Sequence, residues 1–424
     1  MKKSALIYFN RLREQLWFRP LIFCIISIIG ALLARFADGT GLKELVPNIK
    51  TESIVGLLTT ISSSMLVIAI FAVSSMIAAF SAASNTATPR SFKIVVTDDA
   101  SKNALSMFIG AFIFSIVSTV ALENGYYGDA GRFVLFVFTL LFFASVILTF
   151  LRWVDRISRL GRLEHTINQV EEVALISLKN HIKNPLLKGI PVSNTINKNV
   201  FITPLKIGYI QFIDMDSLQK LAEAHHITIQ LSATPGAYVH SNSPLVYLST
   251  AQGLDMEDIS KKINEAIRIG STRLFEEDPR FGLIALSEIA SRALSPGIND
   301  PGTAIQIIGS QVRLFFLWND TNTKDETDVT RFDRIEVPEL PTYEFFESAF
   351  RPISRDGANN IEVMLRLQKA YTSLATINHS EIQETARSYS ETSYNRAKQQ
   401  LSFKSDLELL KEKSFFLKVK TPTE

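Results

Sequence analysis

Two groups of polar residues in this 424-residue chain have the types and spacing to do chemistry. The first is a set of hydroxyls, Ser62, Ser63, Ser64, Ser74 and Ser75, inside an otherwise apolar run. In lipid, small residues of this kind let helices approach closely and share hydrogen bonds. Facing water instead, they would line a polar path through an oligomer. The second group is Ser295, Asn299 and Asp300, within Ala-Leu-Ser-Pro-Gly-Ile-Asn-Asp-Pro over 293–301. As structure, this is a helix end, a turn fixed by Pro296 and Gly297, and a capped helix start. As a site, it would join three polar side chains to the free amides of a helix N-terminus. Asp300 would repel an anion there, which leaves a cation or a contact with another subunit.

The remaining reactive residues carry no pattern. Six histidines are present (His165, His181, His225, His226, His240 and His379), and none stands at metal-site spacing from another or from a carboxylate. His225 and His226 are adjacent and would point in different directions from a helix end. The one cysteine, Cys24, lies in an apolar run; it is a poor nucleophile there and has no partner for an intrachain disulfide. The chain has no phosphate-binding Gly-x-x-x-x-Gly-Lys, no Gly-x-Gly-x-x-Gly and no Gly-x-Ser-x-Gly elbow. The reading is therefore non-enzymatic, with no catalytic residues, no metal ligands and no cofactor.

The elements that must position these residues begin with four apolar runs, at about 20–36, 54–83, 104–122 and 133–153. A hydrocarbon core about 30 Å thick is crossed by a helix of about 17–25 apolar residues, with every backbone group satisfied internally. The composition therefore predicts a four-helix transmembrane domain over 20–153. A cleaved signal peptide is the competing reading of the first run. Against it stand the long lead-in through Trp17 and Arg19 and the three spans that follow. The second run, about 45 Å long as a helix, must tilt, kink or project beyond the lipid. Residues 1–19 mix aromatics with arginines and suit an interfacial helix at the headgroups.

Basic residues set the orientation. Lys2, Lys3, Arg11, Arg13 and Arg19 precede span one, Arg90, Lys93 and Lys102 separate spans two and three, and Arg152, Arg156, Arg159 and Arg162 follow span four. The opposite loops hold only Lys43 and Lys50, then Arg132. Both termini are thus expected in the cytoplasm. The formal net charge of +2 is no nucleic-acid signature.

Behind the spans, apolar spacing through Ile157, Leu160, Leu163, Ile167, Val170 and Val173 predicts that the fourth helix continues as a connector over 154–185, ending at Pro185. Residues 186–378 read as a cytoplasmic α/β (α+β) domain. GYIQFID, MDSLQKLAEAHH and ITIQLSA predict a strand–helix–strand unit, and the Pro235-Gly236 to Pro244 stretch a hairpin or small barrel element. DMEDISKKINEAIRIG predicts a helix, and Asp278-Pro279 and Asp300-Pro301 each predict a helix start. NDTNTKDETD over 319–328 reads as a polar loop, FDRIEVPEL as a strand, and the residues either side of Arg355-Asp356-Gly357 as two helices. The tail at 379–424 is charged and predicts an exposed helix or a contact surface for another subunit.

The block DPRFGLIALSEIASRALSPGINDPGTA, the small-residue second span and the SNTATPRSF stretch after it resemble a family of bacterial predicted membrane proteins, the domain of unknown function 2254. That resemblance extends to about residue 375 and implies an inner-membrane location, but no activity. Where the family more often has Ser-Pro-Arg, this chain has Thr88-Pro89-Arg90. Intramembrane carboxylates of the kind ion-coupled transporters use do not occur in the spans. Two functions follow as expectations. One is an oligomeric channel lined by the second span and gated by the cytoplasmic domain. The other is a membrane-anchored scaffold or sensor whose cytoplasmic domain binds a partner protein or small ligand. The expected partners are the lipid bilayer and further copies of the chain, and nucleic acid is not expected.

Overall fold

The computed structural model describes residues 17–39, 46–86, 88–96, 99–159, 162–193, 200–253, 255–319 and 330–418. The expected interfacial helix and the polar loop at 319–328 lie almost wholly outside them. The chain divides into two compact units, Met1–Thr166 and Ile167–Glu424.

The first unit is helical: α1 Phe18–Leu33 with a 3-10 turn Ala34–Gly39, α2 Thr51–Thr86, α3 Pro89–Val96, α4 Asp99–Glu123 and α5 Asp129–Arg159. Four of these stretches are long and apolar enough to cross a membrane, at Phe18–Gly39, Thr51–Ala82, Ser101–Glu123 and Asp129–Arg159. Helix α4 is the packing centre and contacts α1, α2 and α5. Its small residues make that possible. A Cβ at Gly110 would stand 3.2 Å from both Phe23 Cβ and Ser27 Oγ of α1, while Ser101, Ser106, Ser115 and Ser118 are all buried. Helix α2 presents Ile54, Leu58, Ile61, Met65, Ala69, Ala72, Met76 and Ala79 inward, the three-and-four spacing of a single helix face. Asp38 fastens the start of α5 by accepting from the Gly128 and Gly131 amides at 2.8 and 2.7 Å, and the Tyr127 hydroxyl donates to the Ala31 carbonyl at 2.7 Å.

The fourth helix does not run on to Pro185. It ends at Arg159, Arg162 is non-helical, and a separate helix, α6, spans Leu163–Lys183.

The second unit combines two small sheets with a helical region. Strands β1 Ile190–Pro191, β2 Phe201–Ile202, β4 Ile229–Leu231, β6 Val246–Leu248 and β8 Ile335–Val337 form one sheet in the order β1-β8-β4-β6-β2, while β3 Gly208–Ile213, β5 Tyr238–Val239 and β7 Ile267–Gly270 form another in the order β5-β3-β7. Helices α7 Met215–Ala224 and α8 Met256–Ala266 accompany them. Three expectations are corrected here. β3 and β4, joined by α7, belong to different sheets, so the strand–helix–strand stretch is no parallel crossover unit. β5 and β6 likewise part company: β5 pairs with β3, β6 with β4 and β2. The helix expected through Gly270 stops at Ala266, where Ile267 and Ile269 take antiparallel places opposite Ile213 and Ile210. Alternating β-branched residues favour a strand once a partner is available, and that partner lies more than fifty residues away in sequence.

The helical region holds α9 Phe281–Ala293, α10 Pro301–Phe315, α11 Thr342–Asp356, α12 Ile361–Leu374, α13 Ser380–Gln400, α14 Lys404–Lys413 and α15 Phe415–Lys418. The two helices expected around Arg355-Asp356-Gly357 are α11 and α12. The tail is not an exposed helix: α13 packs on α11 and α12, burying Ile382, Ala386, Ser390, Ser393 and Ala397. All but one of these are small, so the face looks polar in sequence yet fits close against its neighbours. Its serines are satisfied there. Ser393 Oγ meets Ser354 Oγ and the Tyr371 hydroxyl, each at 2.9 Å, and Ser390 Oγ donates to Gln368 Oε1 at 2.5 Å.

Ser393→Leu is expected to destabilise this unit by about 3 kcal/mol, through overpacking and loss of the shared hydroxyl bonds. The exposed Ser388→Leu should stay within about 0.5 kcal/mol of wild type. Urea unfolding of both full-length variants checks the contrast.

Candidate functional site

The two polar groups of the sequence occupy different units. On α2, Ser63, Ser64 and Ser74 are exposed and Ser62 and Ser75 half-buried, all turned from the face that packs on α4. The Ser62 and Ser63 hydroxyls donate to the Thr59 carbonyl at 3.0 and 2.9 Å. Within the chain's own bundle, close packing falls instead to Ala69, Ala72 and Ala79 of α2 and to the serines of α4.

In the second unit, Ser295, Asn299 and Asp300 make the turn between α9 and α10. Ser295 Oγ donates to the Arg292 carbonyl at 2.7 Å. Asn299 adopts φ +50°, a left-handed turn conformation that Asn tolerates. Asp300 caps α10, accepting from the Thr303 amide at 3.1 Å and its hydroxyl at 2.5 Å. Those donors hold its carboxyl below the usual range. Ser295 and Asp300 therefore have their hydrogen-bonding capacity engaged by the turn itself.

Asp278 departs from its expected role. Helix α9 starts after Arg280, without a side-chain cap, and Asp278 lies beneath the preceding loop with a side chain 1% exposed. Arg273 Nε donates to Asp278 Oδ2 at 2.5 Å. Arg280 gives its amide at 3.1 Å and its Nε at 3.2 Å to Oδ1. Arg280 also pairs with Glu344 of α11 and donates to the Pro235 carbonyl at 3.2 Å. The Pro235-Gly236 turn closes directly over the carboxylate: Gly236 has φ +92°, and a Cβ there would overlap Asp278. One buried charge thus joins the 234–236 turn, the 273–280 loop and α11.

Beside this hub lies a cleft of about 320 Å³. Helix α6 contributes Ser177, Asn180 and His181, and Asn184 follows directly after its end, a polar stripe at helical spacing. Leu187, Lys188, Phe212, Ile213 and Met215 line other sides, and Pro235, Glu276, Glu277 and Pro279 complete it. His181 packs on Phe345 with ring centroids 5.4 Å apart. Burial, and then the nearby Arg280 charge, push its pKa down to about 4, so its ring is neutral at pH 7. Glu277 moves the other way, raised by burial and then by its neighbour Glu276. Ser177 is 3% exposed, and its hydroxyl has no hydrogen-bond partner.

In the sequence, His181 is one of six histidines without a pattern. The signal available was the Ser-x-x-Asn-His-x-x-Asn stripe on and directly after α6. Its importance depends on Glu276 and Glu277, almost a hundred residues later. His225 and His226 end α7, with His226 at φ +52°. Among the described residues no three His, Cys, Asp or Glu side chains converge as metal ligands.

Four span-length apolar helices followed by a mixed helix-and-sheet unit mark a predicted membrane protein with a large second part. The family model described as "Predicted membrane protein", domain of unknown function 2254, matches residues 13–373, and the chain belongs to that family. Uncharacterised proteins of Mycobacterium bovis and Mycobacterium tuberculosis are each 27% identical to it over 325 residues, covering 72% of this chain and 60% of their own length. The chain thus spans 60% of the length of these curated relatives. No solved structure matches it. The Thr88-Pro89-Arg90 variation has a local account. The Thr88 hydroxyl accepts from the Ser91 amide at 3.4 Å, and Ser91 Oγ accepts from the Thr88 amide at 3.0 Å. Thr and Ser both serve as N-caps.

Asp278→Ala is expected to destabilise the second unit by about 3 kcal/mol, because two half-buried guanidiniums lose their shared partner. Denaturant unfolding of the full-length variant measures it. His181 gives a pH dependence of known sign. Its folded pKa of about 4 lies below the ordinary 6.5. Its contribution is present above pH 6.5 and disappears as pH falls towards 4, about 3 kcal/mol in all. Stability measured from pH 7.5 to 4 should fall less steeply in His181→Gln than in wild type.

Proposed function

We propose that this is a multi-pass protein of the bacterial inner membrane, both termini cytoplasmic, whose Ile167–Glu424 unit is a sensor that binds a small polar ligand. It works by binding rather than by catalysis. The observation that carries this reading is the Ser177 hydroxyl. It is buried and unpartnered, on a residue that lines the cleft, and a buried polar group without a partner costs about 1–3 kcal/mol. Most buried polar groups in natural folds have a partner, so one without calls for an explanation. The cleft also falls within the size range of small-molecule sites, and its lining is shared between apolar and polar or charged residues. The test is a small-molecule screen by thermal shift on purified full-length protein. Compounds that stabilise wild type should lose their effect in Ser177→Leu, which fills the cleft, and keep it in the exposed Ser388→Leu. Hits insensitive to Ser177→Leu, or no hits from a broad polar library, contradict the reading.

A second reading, a homo-oligomeric channel lined by α2, is favoured by the outward set of Ser63, Ser64 and Ser74. Since Cys24 is the only native thiol, Cys24→Ser gives a clean background for disulfide trapping. Ser63→Cys and Ser74→Cys should cross-link between subunits and the buried Ser118→Cys should not. Ion flux in liposomes should then be blocked by the trapped state. Absence of cross-links at both positions argues against an α2-lined path.

A further inference from the structure

The cleft is read above as a ligand site, and its charges go further, to the class of ligand. Glu277 is a half-buried carboxyl in the wall, beside Glu276. The cations nearest in sequence are already engaged: Arg273 with Asp278, Arg280 with Asp278 and Glu344. Among the described residues no lysine, arginine or histidine forms an ion pair with Glu277, and Lys188 stands exposed at the rim. A carboxylate removed from water without a partner is unfavourable, and a second carboxylate next to it adds repulsion. Two observations independent of the acidic pair point to the same occupant. Ser177, a residue of the cleft's lining, carries a buried hydroxyl with no hydrogen-bond partner, and Phe212, 43% exposed, offers an aromatic surface on which a cation is stabilised. Asn180 and Asn184 carry further carbonyl acceptors, and the neutral His181 adds no opposing positive charge at pH 7.

We propose that the cleft takes a small organic cation, its ammonium group held by Glu277 and Glu276 and hydrogen-bonded to the Ser177 hydroxyl. The inference rests on reading the cleft as a ligand site. An anion of the same size would meet two carboxylates. The volume of about 320 Å³ lies at the small end of ligand sites, which suits a compound of a few carbons with one or two ammonium groups.

The test uses purified full-length protein and matched four-carbon probes: 1,4-diaminobutane, 1,4-butanediol and succinate, with methylammonium and choline as further cations. Isothermal titration should show binding of at least one ammonium compound and none of the diol or succinate. Glu277→Gln should weaken that binding by about tenfold, the effect of losing one close charge pair, and the control Glu384→Gln, exposed on α13, should leave it unchanged. Without ligand, Glu277→Gln should be at least as stable as wild type at pH 7.5, since it removes an unpaired charge. Loss of stability there would mean that Glu277 has a structural partner, and would overturn the proposal. Binding of the diol or succinate in preference to the cations, lost in Ser177→Leu, would overturn the ligand class but keep the cleft as a site. Failure of every probe at 10 mM, together with no Ser177-dependent hit in the wider screen, would overturn both.

Discussion

A carboxylate taken out of water must be matched where it is buried, and at Asp278 two guanidiniums do the matching. The geometry follows from that constraint. Arg273 and Arg280 must both reach one side chain, which bends the loop between β7 and α9 back on itself. The Pro235-Gly236 turn must come close enough to seal the pair, and only a glycine fits, at φ +92° with the carboxylate where a Cβ would be. Arg280 then has Nη atoms left for Glu344 and the Pro235 carbonyl. Breaking such a pair leaves an uncompensated buried charge, so the arrangement is cooperative. The same hub forms a side of the cleft and supplies the Arg280 charge that helps keep His181 neutral. The shape and charge of the cleft therefore depend on an interaction outside its lining.

In the first unit the corresponding constraint is the use of small residues on two different faces. Those of α4, with Gly110 and the buried serines, let α1 and α2 close around it. The serines of α2 turn outward, and two of them return their hydroxyl protons to the helix's own backbone. A serine satisfied in this way can face lipid, a second copy or a water path at little cost. Composition alone made α2 conspicuous, because its serines are contiguous. The residues that pack the bundle are spread along α4 and attract less notice.

How much was legible in the sequence follows from how local each signal is. The four apolar runs, the Asp300-Pro301 cap, the SPGIN turn and the break at Gly357 are set by residues within a few positions of one another, and they could be read directly. The sheet assignments could not. IRIG becomes strand β7 because β3 lies beside it, and β3 parts from β4 because each finds its partners elsewhere in the chain. Asp278 had the local grammar of a helix cap, but two arginines within five residues drew it into a buried pair instead. The tail looked exposed because serine and alanine make a weak apolar face. In the fold their small size is what lets α13 sit against α11 and α12. The cleft was the least legible feature, since it needs α6 and the 276–279 loop brought together.

Asp278 fastens three separate segments as one unit. Hydrogen–deuterium exchange on the full-length protein tests it most directly, comparing wild type with Asp278→Asn. The account predicts that amides in 234–239, 273–282 and 342–346 lose protection together, while those of β4 and β6 keep theirs. Faster exchange confined to 276–280, with the Pro235-Gly236 turn and α11 unchanged, would contradict it.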